Sequence, residues 1–216
     1  AGWLSGFPIF SHAFHLPPFL RPKISSCYNE RELSIGMDLN RKKDFMFILG
    51  CHLSVTGGYL SMGKTAIMLV PEISLTKQVI ETFAGRFGKE TIAVLHSKLT
   101  PRERYDEWRR IQRGNAKIVI GARMAVFAPL KDIGLIVMDE EQESSYKADM
   151  TPKYDTVDIA LKRISYYKGV LLLGSATPSV VSYYRVSQGI YRLLTLNKRY
   201  NNTPLPKIEI ADMRAE

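Results

Sequence analysis

Six short apolar runs constrain the fold of this chain more than any other feature of its sequence. Each is apolar at consecutive positions, which is typical of strands that are buried on both faces of a parallel sheet. The runs cover residues 45–49, 66–70, 92–95, 118–120, 134–138 and 170–173. Helical patterns lie between most of them. Strands that alternate with helices predict an α/β domain with three layers, in which a parallel sheet lies between helices.

Residues that begin and end helices flank the patterns between these runs. Thr100, Pro101 and Glu103 have the spacing of a capping box with proline at the first helical position, and Gly114 closes that helix. The same reasoning predicts helices over 74–87, over 155–168 and from 177 to about 189.

The first part of the chain lacks this organisation. Residues 1–28 mix aromatic residues and prolines without a period of 2 or 3.6, and Pro17-Pro18 breaks any helix. We therefore expect an irregular N-terminal segment over 1–44, the α/β domain over 45–196 and a linker over 197–216. Because the chain begins with Ala rather than Met, we expect a fragment or a processed product.

Charge and cysteine content narrow the classes of function. The net charge of +9 makes nucleic acid and nucleotide phosphates the first partners to consider. The 2 cysteines exclude a disulfide-rich scaffold and a four-cysteine zinc site within this chain, and they fit reduced thiols in the cytoplasm. No apolar run approaches the ~20 residues of a membrane-spanning helix, so an integral membrane protein is excluded.

An acidic cluster follows the apolar run 134–138. Asp139 and Glu140 come directly after this predicted strand, at the edge of a parallel sheet where ligands bind. One carboxylate in such a place can hold Mg²⁺, a cation that prefers oxygen ligands, and the next can orient or deprotonate water. A solvated acidic loop is the alternative interpretation.

Small hydroxyl residues follow the next run along the chain. Ser175 and Thr177 come after residues 170–173, and their hydroxyl groups could hydrogen-bond the neighbouring acidic loop. The alternative is that Thr177 caps the helix that Pro178 begins, whatever the function.

Loops after three other runs carry hydroxyls or a cation. Ser74, Thr76, Ser97 and Arg123 lie in these loops, and together they could follow a phosphodiester backbone. Singly, each belongs to an ordinary polar loop.

These motifs together resemble a known family. Residues 139–142, Asp-Glu-Glu-Gln, and 174–179, Gly-Ser-Ala-Thr-Pro-Ser, are similar to motifs II and III of superfamily 2 helicases. More specifically, the segments 70–76, 95–100, 103–108 and 121–129 resemble the primosomal replication-restart helicases, the primosomal protein N′ family. The likeness is close from residue 66 to 216 and looser back to about residue 45. It implies a RecA-like lobe of the P-loop NTPase type.

The resemblance also implies cofactors, partners and roles. ATP and Mg²⁺ would be the cofactors, and forked or single-stranded DNA and primosome proteins the partners, with 3′-to-5′ movement along DNA. Asp139 would hold Mg²⁺ and Glu140 would activate water. Gln142, Ser175 and Thr177 would couple hydrolysis to DNA, although the family usually has His at the position of Gln142. The second lobe and the zinc-binding cysteines of the family would lie beyond residue 216, so we expect this chain alone not to unwind DNA.

The phosphate loop departs from the family. Residues 58–65 match the pattern G-x4-G-K-[ST], but a working phosphate loop opens a helix, whereas here Thr65 runs directly into a strand pattern. We favour a deletion that truncates the first crossover, in which residues 54–57 begin the loop and 59–64 end the helix that follows it. The alternative is a rearranged but usable loop. Its candidate phosphate-binding residues are Gly57, Gly58, Gly63, Lys64 and Thr65.

Two further functions stay open beside the helicase lobe. One is a DNA-binding fragment without ATPase activity, for which the basic segment 197–207 is a candidate arm. The other is a degenerate gene product whose first crossover is damaged.

Overall fold

The structure, a computed structural model, describes residues 7–13, 52–71 and 77–196, with the backbone alone at 7–13 and 195–196. The strands are β1 (Phe7–Ala13), β2 (Thr65–Leu69), β3 (Ile92–Leu95), β4 (Ile118–Gly121), β5 (Ile133–Met138), β6 (Val170–Gly174) and β7 (Arg192–Leu196). The helices are α1 (52–60), α2 (Lys77–Phe87), α3 (Pro101–Gln112), α4 (Thr156–Tyr167) and α5 (Val180–Ser187). Short 3₁₀ helices cover Lys89–Thr91, Arg123–Phe127 and Ser144–Tyr146.

The described strands form one sheet in the order β3-β4-β2-β5-β6-β1-β7. The strands β3, β4, β2, β5 and β6 are parallel, and they are five of the six apolar runs. The predicted α/β fold with a parallel sheet is therefore confirmed. The sixth run, 45–49, lies outside the described residues, so the first crossover stays a prediction.

Both faces of the five parallel strands are buried, which explains the continuous apolar runs. Along β2, Ala66 and Met68 pack on one face with residues of α1 and α2. Ile67 and Leu69 pack on the other face with residues of α3 and α4. Helices therefore cover the sheet on both sides, as the three-layer prediction requires.

Helix α1 corrects the expected beginning of a phosphate loop. Residues 54–57 lie inside this helix rather than in a loop. The expectation that 59–64 ends a helix and turns into a strand is confirmed, since a turn covers 61–63 and β2 begins at Thr65. The end of α1 lies against β5, because a Cβ on Gly134 would stand 2.6 Å from Cδ1 of Tyr59.

Strand β1 corrects the expectation of an irregular N-terminal segment, at residues 7–13. It lies antiparallel between β6 and β7 and pairs with both from Ile9 to Ser11. Pro8 lies outside the ladder to β6, whose pairing begins at Ile9. A proline near the start of a strand is tolerated, since its missing N–H removes no central ladder bond.

The helix boundaries follow the predicted signals with one correction. At the start of α3, the Glu103 N–H donates to Thr100 Oγ1 at 3.2 Å and the Thr100 N–H donates to Glu103 Oε2 at 2.8 Å, which confirms the capping box. Thr177 does not cap α5. The N-cap is Ser179, whose Oγ accepts from the Ser182 N–H at 3.2 Å. Within the described part of the chain, no helix is both long enough and apolar enough to span a membrane.

Candidate active site

The acidic loop after β5 is fixed between the ends of two neighbouring strands. The Asp139 N–H donates to the Leu69 carbonyl at the end of β2 at 2.9 Å. The Glu141 N–H donates to the Gly174 carbonyl at the end of β6 at 3.0 Å. The turn between them places Glu140 at a φ of 48°, the left-handed region that side chains rarely adopt. Backbone bonds on both sides therefore hold the loop at the carboxyl edge of the sheet.

Asp139 is buried, with 7% of its surface exposed. Burial and then the charge of Glu140 raise the pKa of Asp139 to about 7. Tyr146, which is also buried, donates from its hydroxyl to the Asp139 carbonyl at 2.8 Å. A buried carboxylate beside a second carboxylate is stabilised by a cation, so this donor set fits Mg²⁺. Among the described residues, no three His, Cys, Asp or Glu side chains cluster as metal ligands, so water or a ligand would complete the coordination.

Hydrogen bonds join the acidic loop to the loop after β6. The side-chain NH₂ of Gln142 donates to Glu140 Oε2 at 2.7 Å, and its Oε1 accepts from the Ser175 hydroxyl. The Thr177 N–H in turn donates to Ser175 Oγ at 2.9 Å. The structure thus brings together Glu140, Gln142, Ser175 and Thr177 in one path. Thr177 takes part through its backbone, and its side chain is exposed.

A third carboxylate belongs to helix α5. Glu141 is 7% exposed, and its Oε1 accepts from the Ser179 N–H at 2.7 Å. Its Oε2 accepts from the Ser179 hydroxyl at 3.3 Å. A carboxylate at the start of a helix meets N–H groups that have no partner within the helix. Glu141 therefore anchors α5 to the acidic loop, a role that sequence reasoning missed.

Two of the predicted phosphate-binding residues lie at the opposite edge of the sheet. The Thr65 N–H donates to the Asp132 carbonyl at 3.1 Å, where β2 begins. At ~3.3 Å per residue, the length of β2 separates Thr65 from the acidic edge by about 13 Å. Lys64 precedes Thr65, Gly63 lies in the turn, and Gly57 and Gly58 lie inside α1. The structure therefore places Lys64 and Thr65 away from the acidic loop, and it places Gly57 and Gly58 in a helix and not in a loop.

His52, at the start of the described part of α1, lies near the acidic loop. It is 1% exposed, and among the described residues neither ring nitrogen has a hydrogen-bond partner. Burial lowers its pKa to about 4, so the ring is neutral at pH 7. A Cβ on Gly174 would stand 3.7 Å from His52 Nε2 and 3.6 Å from Asp139 Oδ1. The imidazole and this carboxylate therefore face the same space at the end of β6.

The predicted DNA contacts are only partly described. Ser74 and Thr76 lie outside the described residues, and Ser97 lies in the turn after β3. The Arg123 guanidinium donates to the Ser145 carbonyl at 3.3 Å and to the Lys147 carbonyl. Arg123 therefore ties its loop to the segment that follows the acidic loop.

Sequence reasoning missed Tyr146, Glu141, Ser179 and His52 at this edge. For Glu141 a signal existed, since it belongs to the Asp-Glu-Glu run. Tyr146 and His52 carry no periodic or spacing signal, because only the fold brings them to the strand ends.

This chain is similar in sequence to a family of known proteins and to individual members of known function. A family model described as DEAD/DEAH box helicase matches residues 45–186. The chain is 48% identical over 157 residues to "Replication restart protein PriA" of Bacillus subtilis (strain 168), which is 73% of this chain and 19% of that relative. It is 42% identical over 170 residues to the protein of the same name from Synechocystis, 76% of this chain and 20% of that relative. The chain thus spans about a fifth of the length of these relatives.

Solved helicase structures are also similar. The Pyrococcus furiosus Hef helicase domain aligns with a TM-score of 0.46 and 22% identity, over 68% of this chain and 31% of that one. The family itself rests on the sequence match, which includes the acidic loop and the loop after β6 and covers more than half of the chain. The chain therefore belongs to the DEAD/DEAH box helicase family.

Proposed function

We propose that this chain is the first RecA-like lobe of an ATP-dependent DNA helicase that acts in replication restart in the cytoplasm. The observation that carries the proposal is the hydrogen-bonded path from Glu140 through Gln142 to Ser175. This path joins the acidic loop to the loop after β6. A motor protein needs such a connection if a change at the nucleotide is to move a second loop. The similarity to replication restart proteins supports DNA and primosome proteins as partners.

Asp139 is the proposed Mg²⁺ ligand. When bound, Mg²⁺ would neutralise the negative charge on nucleotide phosphates. The chain contributes a carboxylate that is buried and fixed by the Asp139 N–H bond to the end of β2. Glu140, on the turn beside it, is more exposed and can orient or deprotonate a water molecule. Gln142 holds the Glu140 carboxylate in place at 2.7 Å.

The described residues fit the metal better than they fit the phosphates. Lys64 and Thr65 begin β2, so about 13 Å of strand lies between them and the acidic loop. We therefore propose that this chain alone neither hydrolyses ATP at a helicase rate nor unwinds DNA in the 3′-to-5′ direction. The position of Lys64 also favours the second candidate function, a DNA-binding fragment without ATPase activity.

Thermal unfolding with Mg²⁺, with Mg-ATP and with DNA separates these functions. We expect Mg²⁺ to raise the melting temperature of the wild-type chain and Asp139→Asn to abolish that rise. Lys64→Ala is the matched control, and we expect its melting temperature to rise with Mg²⁺ as that of the wild type does. If Mg-ATP stabilises the wild type and Lys64→Ala removes the effect, the rearranged phosphate loop is correct and our placement of Lys64 is refuted. If DNA raises the melting temperature and Mg²⁺ does not, the second candidate function replaces the first.

A further inference from the structure

Helix α3 carries two large aromatic side chains on its solvent face. Tyr105 is 60% exposed and Trp108 is 37% exposed, and residues three apart on a helix are neighbours. An adjoining side of the helix packs against the sheet. There Ile111 is buried, and Glu107 Oε2 accepts from the Val94 N–H of β3 at 3.1 Å. Neither aromatic ring belongs to the buried clusters of the described residues, so the pair takes no part in the core.

Arginines surround this aromatic pair. The Arg109 guanidinium lies 5.8 Å from the centre of the Tyr105 ring, and Arg102, Arg104 and Arg113 are exposed nearby. Within the described part of the chain, none of these four arginines forms an ion pair.

The acids of α3 offset little of this positive charge. Glu103 is engaged in the capping box with Thr100, and Glu107 pairs with Arg110 at 2.7 Å. Asp106 is the remaining acid of the helix, and it is exposed. The solvent face thus combines flat aromatic surface with an excess of uncommitted positive charge.

The position of this face relates it to the candidate active site. The loop 96–100 leads from the carboxyl end of β3 into α3, so the helix begins at the same edge of the sheet as the acidic loop. Ser97, one of the predicted DNA contacts, lies in that loop. A strand of DNA that contacts this edge can continue along α3.

We propose that the face formed by Tyr105, Trp108 and Arg109 binds single-stranded DNA. Bases stack on the two rings, and the arginines contact phosphates, which is how single strands are bound without sequence preference. Duplex DNA keeps its base faces stacked within the helix and cannot use the rings in this way. An acidic protein would satisfy the arginines but would give the exposed rings no flat partner. The inference deepens the proposed function, because it adds a DNA surface outside the predicted contacts.

Trp108 makes the test direct, because the chain has 2 tryptophans and the other, Trp3, can be replaced. In a Trp3→Phe background, oligothymidine is titrated against the full chain and Trp108 fluorescence is recorded. We expect quenching on binding. Tyr105→Ala should weaken binding about 5- to 150-fold, the effect of losing one stacked base. Arg109→Gln should reduce the slope of log affinity against log salt by about 0.7.

Tyr166→Ala is the matched control. Tyr166 is 72% exposed and has Lys162 at 5.4 Å from its ring, so it presents the same pair of groups near the end of α4, before β6 begins. We expect its replacement to leave the affinity unchanged. Both tyrosines are exposed, so neither variant should alter the melting temperature.

Three results would overturn the inference. If oligothymidine binds but Tyr105→Ala changes affinity no more than Tyr166→Ala, the face is wrong and the proposed function stands. If blunt duplex binds as tightly as oligothymidine and leaves Trp108 fluorescence unchanged, stacking is refuted. If the chain binds no single-stranded DNA, the face is refuted and the DNA part of the proposed function falls with it.

Discussion

Two buried groups near the end of β6, His52 and Asp139, should change the folding stability of this chain in opposite directions as pH changes. Burial lowers the pKa of His52 from 6.5 to about 4, so between these values the unfolded chain binds more protons than the folded one. Folding stability linked to His52 therefore falls as pH falls through this window. Burial and Glu140 raise the pKa of Asp139 from 3.8 to about 7, so here the folded chain binds more protons. Stability linked to Asp139 therefore falls as pH rises through its window.

The two effects are similar in size. At about 1.4 kcal/mol for each pKa unit, His52 contributes about 3 kcal/mol between pH 6.5 and about 4. Asp139 contributes about 4 kcal/mol between pH 3.8 and about 7. In the wild type the two contributions nearly cancel between about pH 4.5 and 6.

Substitution separates them. His52→Leu removes the histidine contribution, so its stability relative to wild type should rise by about 1.4 kcal/mol for each unit that pH falls in this window. Asp139→Asn removes the opposite contribution and should show the reverse trend relative to wild type. Taking the difference from wild type cancels the titration of groups that are distant from the substituted residue. His52→Leu should also stabilise the chain at pH 7 by about 1–3 kcal/mol, because it removes buried nitrogens without partners.

Urea unfolding at several pH values, with a chelator to exclude metal, measures these differences. His96→Leu serves as the control, since this histidine is only partly buried and its Nδ1 accepts from the Lys98 N–H at 3.2 Å. Because its ring is not fully buried, this control tests whether burial of the imidazole is what links stability to pH. If the stability difference between His52→Leu and wild type is independent of pH, the reasoning about the buried histidine is refuted.

The structure also predicts how three other substitutions change the free energy of unfolding. Gly134→Ala should cost about 1–3 kcal/mol, because the new Cβ would lie 2.6 Å from the Tyr59 ring, and urea unfolding measures this. Thr100→Ala should cost about 1 kcal/mol by removing the cap of α3, whereas Thr177→Ala should be nearly neutral in thermal unfolding. Ser175→Ala should cost about 1 kcal/mol through the lost hydrogen bonds to Gln142 and Thr177, measured by urea unfolding.

Each of these predictions can be checked against a control variant or against the stability of the wild type. Gly85→Ala lies in α2 with nothing within 4 Å of the new Cβ, so it should be neutral or stabilising, and an equal loss in both variants would contradict the steric argument. Equal losses for Thr100→Ala and Thr177→Ala would restore Thr177 as a cap. A Ser175→Ala variant as stable as the wild type would show that the path through Gln142 contributes nothing.

Local patterns predicted most of this fold. The runs at 92–95 and 134–138 became strands because an apolar run that is buried on both faces needs no distant information to be recognised. The capping box at Thr100 and Glu103 is equally local, since both partners lie within one helical turn. The position of the acidic loop was also predictable, because the carboxyl ends of parallel strands lie on the same side of the sheet.

Pairing between distant segments explains what the sequence could not predict. Strand β1 forms through ladders to β6 and β7, more than 150 residues away in the chain, so its own mixed pattern carries no periodic signal. Ser179 replaces Thr177 as the cap because Glu141, from another loop, fixes the start of α5. His52 reaches the acidic edge because α1 runs along one face of the sheet, from the end of β6 near Gly174 to the start of β5 near Gly134, which no local pattern specifies.

The acidic loop and the loop after β6 should act as one unit when Mg²⁺ binds at Asp139. The Thr177 amide reports on this directly, because its N–H donates to Ser175 Oγ at 2.9 Å and Ser175 donates to Gln142. In an NMR titration with Mg²⁺, we predict that the Thr177 amide resonance shifts in the wild type. In Gln142→Ala the metal should still bind, but that shift should be lost. A Thr177 shift of the same size in Gln142→Ala, or none in a wild-type chain that binds Mg²⁺, would contradict the account.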